Sequence, residues 1–201
     1  MQLITQNGKE LNGKFYKINH STKTFTTQES GLVLDFINNF NWTFTTGSDC
    51  IFKTGDDCTF ITKHNCTFIT MSHSKFNTGY GCTFNTEHNC SFITLGYCTF
   101  DTGNSCTFNT GAYCIFKTGL SCIFNTTHEC TFDTDEECTF TTTNNCIFNT
   151  YQHCMFLCKK KCICIRKNIF EIIIIPENQK IQLNSDKGYH LCSQSHEMEN
   201  H

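Results

Sequence analysis

Proline is almost missing from this chain: Pro176 stands alone among 201 residues. With only twelve glycines beside it, a disordered low-complexity chain is excluded. Charge is scarce too, 16% against about 25% in ordinary globular domains. The formal net charge of −3 is weak and predicts no nucleic-acid partner. No apolar run reaches about 18 residues, so neither a transmembrane helix nor membrane insertion is expected. The opening MQLITQNGKELNGKF lacks the basic-then-apolar order of a secretory signal. G-x-S-x-G, a phosphate-cradling glycine loop and H-E-x-x-H are all absent. The chain is therefore read as non-enzymatic, with no catalytic, cofactor-binding or metal-ligating residue assigned and no cofactor.

What is present is a repeat. Residues 34–157 read C-x-F-x-T-x-x-x sixteen times, as in CIFKTGLS and CTFDTDEE. Phe recurs every eighth position from Phe36 to Phe156. Thr follows two later from Thr46 to Thr150, and Cys precedes by two from Cys50 to Cys154, with Ser74 the one substitute. Leu34 and Trp42 hold the Cys position in the first two units.

Cys, Phe and Thr at positions 1, 3 and 5 share one face of a strand, and positions 2 and 4 face out. Positions 6–8, such as GSD, GDD, GNS and TNN, have a turn composition led by Gly. A helix would scatter positions 1, 3 and 5 around its axis. One such strand cannot stand alone, but stacked on its copies each Phe lies about 4.8 Å from the next. The fold class is all-β: a single-chain β-solenoid, or β-helix, of sixteen octads with capping strands at both ends.

Two octads per coil make a flat 16-residue solenoid, the favoured form; three make a 24-residue prism. Asn77, Asp101, Asn125 and Asn149 align at 24, and Asn77, Asn109 and Asn125 share a row at 16, so the outward rows do not decide. In the flat form, sheets about 10 Å apart leave little room for Phe against Phe. The opposing rings are then expected over the smaller Cys and Thr. A monomer is favoured, with a trimeric fibre of interleaved strands as the rival.

The run FNTGYG at 76–81, followed by Cys82, and the unit CIFKTGLS at 114–121 resemble the octad halves of bacterial ice-nucleation proteins. The likeness spans 34–157 and lies in the period and the corner. It implies a 16-residue β-solenoid coil and an outward Thr-x-Thr row that orders water, represented here by Thr139 with Thr141.

Seventeen cysteines invite a disulfide reading. Thirteen occupy one periodic inward position beside a Phe row that already supplies a core. They are read as a ladder of buried thiols in a reducing, intracellular compartment. Cys154, Cys158, Cys162 and Cys164 gather near the end of the repeat, but their spacing is not a standard zinc pattern. His64, His73, His88, His128 and His153 fall in corners without an orienting partner. Asp133, Asp135, Glu136 and Glu137 read as a solvated corner. The repeat holds 4 Lys against 11 Asp and Glu, a net −7.

Residues 1–33 are expected to cap the first coil, 34–157 to form the solenoid, and 158–201 to supply capping strands and a frayed tail, SQSHEMENH. Trp42 plugs the wider opening of the core. Lys159, Lys160, Lys161, Arg166 and Lys167 read as a charged cap that blocks end-to-end growth. Ile172–Ile175 need cover on both faces. The leading function is a rigid repeat scaffold or interaction module for an unknown protein or surface partner, with a viral or mobile-element origin in view. An ice-binding surface and a carbohydrate-active enzyme on a β-helix are the alternatives. A flat outward Thr ladder would mark the first and a cleft with paired carboxylates the second.

Overall fold

Each octad folds as one short strand and one corner. Positions 2–4 form the regular strand, as in Thr59–Ile61, Thr83–Asn85 and Ile115–Lys117 in the computed structural model, which describes residues 3–192. The segment SQSHEMENH lies outside the described residues. Ladder bonds carry the pairing past each strand: the Thr67 amide donates to the Cys50 carbonyl at 2.8 Å, and the Thr62 amide to that of Asn77 at 3.1 Å. Alternation then sends Cys, Phe and Thr inward, and throughout the repeat from Cys50 to Thr150 these side chains are buried.

Pairing is parallel and 16 residues apart. Phe60 pairs with Phe76, Phe76 with Phe92 and Phe92 with Phe108 in one sheet, while Phe52, Phe68 and Phe84 align in the other. Two octads therefore make one coil, and the protein is a β-solenoid. The chain enters through β1 (Leu3–Gln6), β2 (Lys9–Glu10) and β3 (Lys17–Asn19). Parallel winding runs from β4 (Thr24–Thr26) and β5 (Leu32–Phe36) through β6 (Thr43–Thr45) to β20 (Met155–Cys158), ending in β21 (Cys162–Arg166). These strands form nine coils, nine parallel strands in each of two sheets. At about 4.8 Å per coil the stack is about 38 Å long.

The rings do not avoid one another as the sheet spacing suggested. Along each sheet, Phe92 stacks on Phe76 and Phe108 at 4.8 Å with planes 3–5° apart. Across the core, Phe92 meets Phe84 at 5.1 Å and Phe100 at 5.2 Å, with planes 73° and 76° apart. Successive octads climb half a coil each, so every ring sits between two rings of the opposite column. Edges then meet faces, the arrangement the ring quadrupole favours.

The first octad departs from the sequence phase. Leu34, not Phe36, pairs with Phe52, and Phe36 pairs with Thr54. Leu32, Leu34 and Phe36 thus take the Cys, Phe and Thr places. The shift arises because β5 and β7 (Ile51–Thr54) are 18 residues apart rather than 16. The broader first coil is filled by Phe36 against Trp42 at 5.2 Å and against Phe44 at 5.1 Å. Trp42 is buried there, as expected of a plug. Phe25, whose position falls outside the sequence phase, pairs with Phe44 across a 19-residue step.

Both ends close with antiparallel strands. β1 lies against β5 and β3 against β4. At the far end, β22 (Glu171–Ile175) lies against β21, while β23 (Lys180–Leu183) and β24 (Tyr189–Leu191) extend from β20. The Pro176 segment therefore crosses from one sheet to the other. Arg166 is not part of a surface basic run. It is buried in the Thr column, pairs with Glu171 at 3.1 Å and donates to the Asn184 carbonyl at 2.8 Å, tying down the 184–188 loop. Lys167 pairs with Asp133. Only Lys159, Lys160 and Lys161 of the five remain exposed. Nor are the four isoleucines covered on both faces: Ile173 and Ile175 are buried, whereas Ile172 and Ile174 are exposed.

The seventeen thiols are free, and sixteen are buried. Those of the repeat, Cys154 excepted, donate to the carbonyl two residues back, as Cys98 to Gly96 at 3.2 Å. Burial pushes the Cys58 thiol up, and that of Cys164 up to about 12.

Three outcomes follow from this core. Phe92→Ala, which removes a ring with four ring neighbours, costs about 3–5 kcal/mol in chemical denaturation; a loss under about 1 kcal/mol would show that the column is not the core. Under native reducing conditions one thiol, Cys192, reacts promptly with maleimide and the rest react only on unfolding, as counted by mass spectrometry. Thiols neutral in the fold ionise more readily once unfolded, so stability holds below the ordinary thiol value of 9.0 and falls as pH rises towards about 12. A flat stability curve over that window in denaturant titrations would contradict the assigned burial.

Candidate functional site

A 16-residue coil stacks alternate corners on the same edge. Corners 47–49, 63–65, 79–81, 95–97, 111–113, 127–129 and 143–145 form one edge, and those between them form the other. The residue before each Cys of the repeat holds a left-handed backbone, with φ of 55–57° at Asn65, Asn89, Ser105, Ser121 and Asn145. Small polar residues suit this conformation. One position earlier, a side chain accepts the amide of its counterpart in the next coil. Asp56 accepts from Ser72 at 2.8 Å, Ser72 from His88 at 3.3 Å, His88 from Asn104 at 3.0 Å and Asn104 from Leu120 at 3.0 Å. On the other edge, Ser48 accepts from His64 at 3.4 Å and His64 from Tyr80 at 3.3 Å.

There the pattern stops, as it does at Leu120 on the first edge. Tyr80, Gly96 and Ala112 follow in the acceptor row, and none of them continues it. In the left-handed row, Gly81 (φ 71°) is followed by Tyr97 and Tyr113, with φ of 55° and 58°. Bulky side chains are uncommon in that region. Gly111, at the corner position that Gly also fills at 47, 55, 79, 103 and 119, passes so close beneath Leu95 that a Cβ there would lie 1.3 Å from its carbonyl oxygen. Two departures from the octad chemistry thus fall together in the middle of one edge.

They build a slot of about 560 Å³. Gly96 and Ala112 form its floor. Tyr80 and His128 bound it three coils apart, about 14 Å at the strand spacing. Leu95, Tyr97 and Tyr113 line its sides, and Tyr97 is 66% exposed. Outside the slot, His64 stacks on Tyr80 at 4.0 Å. Tyr97 and Tyr113 stack at 4.9 Å, and Tyr113 meets His128 edge-on at 5.6 Å. The slot is thus held open by rings already braced against other rings. The Glu129 carboxylate beside Tyr113 pushes its phenol above the ordinary range. This wall can stack on planar or ring-shaped groups and offers phenol hydroxyls and an imidazole at its rim.

The residues weighed from the sequence are placed elsewhere or in other roles. His64 and His88 are links in the corner hydrogen-bond rows. Thr142 contacts both Cys158, at 3.4 Å, and Cys162, at 3.7 Å, while Cys154 lies beside Thr150 at 3.0 Å. Among the described residues, no three His, Cys, Asp or Glu side chains converge as a metal site. Asp101, Lys117, Asp133 and Lys167 form a charged ladder on one sheet face. Outward Thr pairs occur at Thr139 with Thr141, and also at Thr43 with Thr45 and Thr24 with Thr26, where the two latter strands pair in register.

Comparison with protein-family models, with curated proteins and with solved structures gives no match. The tyrosines of the slot were not singled out in the sequence. Their signal was there, since Tyr80, Tyr97 and Tyr113 sit in corners that alternate with others, but it becomes legible only once the coil length is known.

The contact between Tyr113 and Glu129 has a direct readout. Glu129→Gln lowers the pH at which one tyrosine ionises in an ultraviolet titration, and Tyr113→Phe removes that transition. An unchanged titration in Glu129→Gln would show that the carboxylate does not act on the phenol.

Proposed function

We propose that the protein is a non-enzymatic, rigid repeat scaffold that serves as an interaction module, with the aromatic slot as its recognition point. The observation that carries this reading is the coincidence of departures at one edge. The acceptor row ends at Tyr80, and tyrosines occupy the left-handed positions 97 and 113. Neither is required by the coil, because other corners meet the same backbone demand with Asn, Ser, Asp, His and Glu. Aromatic rings gathered at a solvent-facing edge whose other corners are mostly polar are a mark of function rather than of folding. The body of the rod supports the reading from the other side. Between Trp42 and Phe156 no loop is inserted among the described coils, and the interlocked rings leave little freedom to deform.

The test is a titration with phenol as a small planar probe, followed residue by residue by nuclear magnetic resonance. Shifts are expected at Tyr80, Leu95, Tyr97, Tyr113 and His128, and they disappear in Tyr97→Ala/Tyr113→Ala while the melting temperature stays within a few degrees of the parent. Shifts spread evenly along both sheet faces would overturn the assignment of a single recognition point.

A further inference from the structure

The four sheet edges are not alike. At the entry end they are β2, two charged residues long, and β3, three residues with Lys17 and Asn19 exposed. Short, charged edges resist pairing with another chain. At the exit end, β24 is three residues long, but β22 is five, with sequence EIIII. Its Ile172 and Ile174 are 70% and 72% exposed. They continue an apolar row on the outer face: Ile174 pairs with Ile163, Ile172 with Ile165, and Ile163 with Ile147. All five of these isoleucines are exposed. An apolar patch joined to a free strand edge marks an association site.

Among the described residues nothing covers this patch. The segment beyond Cys192, SQSHEMENH, has one apolar residue and follows β24 on the opposite sheet. The entry edges cannot match it either, since two or three residues with exposed charge would face five. The best complement is β22 itself. In an antiparallel pair centred on Ile173, Ile172 of one copy stands opposite Ile174 of the other, so the outer isoleucine row runs unbroken across the join. Lys159, Lys160 and Lys161 lie in the corner between β20 and β21, away from that row.

We infer that the protein associates exit end to exit end through β22, forming a two-fold dimer in which each twelve-stranded sheet ending in β22 continues into its copy. The two-fold closes the assembly, because each copy has one such edge, and leaves the charged entry ends outermost. This departs from the monomer favoured by sequence and stands independently of the aromatic slot.

Light scattering with small-angle X-ray scattering on the full chain, under reducing conditions and over a range of concentrations, tests it. The expected particle has twice the 23.1 kDa chain mass and nearly twice the single rod's length. Ile172→Lys/Ile174→Lys, at two outward positions, returns it to one chain mass with unchanged circular dichroism. Ile93→Lys, an exposed isoleucine on the other sheet, leaves the dimer intact. On the parent protein, amide exchange at 172–175 slows as concentration rises, a readout independent of whether the variants fold. A parent that stays at one chain mass, a trimer, a dimer that survives the double substitution, or equal loss in Ile93→Lys would each overturn the inference.

Discussion

The structure depends on the match between two spacings. A parallel sheet sets neighbouring strands about 4.8 Å apart, and aromatic rings stacked in register adopt nearly the same distance. Here the Phe columns keep 4.7–5.0 Å over the central coils. Neither the hydrogen-bond ladder nor the ring stack is strained to serve the other. The half-coil climb between octads adds the cross-column contacts, so each interior ring is held from four sides. Cys and Thr complete the layer as small groups beside the rings, and most of their polar atoms bond to corner carbonyls or to each other.

This core makes the corners the place where the sequence can vary. Their backbone is nearly constant, and their side chains divide the labour. Many corners spend theirs on bonds to the next coil, as at Ser48, Asp56, His64, Ser72, His88 and Asn104. On one edge Tyr80, Gly96, Tyr97, Ala112 and Tyr113 do not, and the surface there changes from polar to aromatic. The repeat interior cannot host such variation, because one altered ring disturbs four neighbours.

The ends show how the regular stack is stopped. At entry, two longer steps between coils admit Leu32, Phe36 and Trp42 where later coils have smaller residues, with Leu34 in the Phe place. At exit, Cys164 takes the Phe place and Arg166 the Thr place, so the last layer is tied by a guanidinium to the loop at 184–188 rather than by another ring. The reversal of strand direction at both ends prevents the chain from simply continuing to wind. It leaves a blunt entry edge and an apolar exit edge.

The octad by itself determined the strand, the inward triad, the corner and the solenoid, because period-two alternation and turn composition are local and repeat without interruption. It also identified Trp42 as a plug and the cysteines as buried thiols, both consequences of which face a residue occupies. It did not determine the coil length, since 16 and 24 are equally compatible with a period of eight, and only inter-strand pairing decides between them. The first octad's register, the buried place of Arg166 and the exposure of Ile172 and Ile174 likewise came from tertiary contacts, which depend on residues distant in sequence. The aromatic slot belongs to the same class: its rings lie 16 residues apart along the chain, and only the closing of each coil after two octads makes them neighbours.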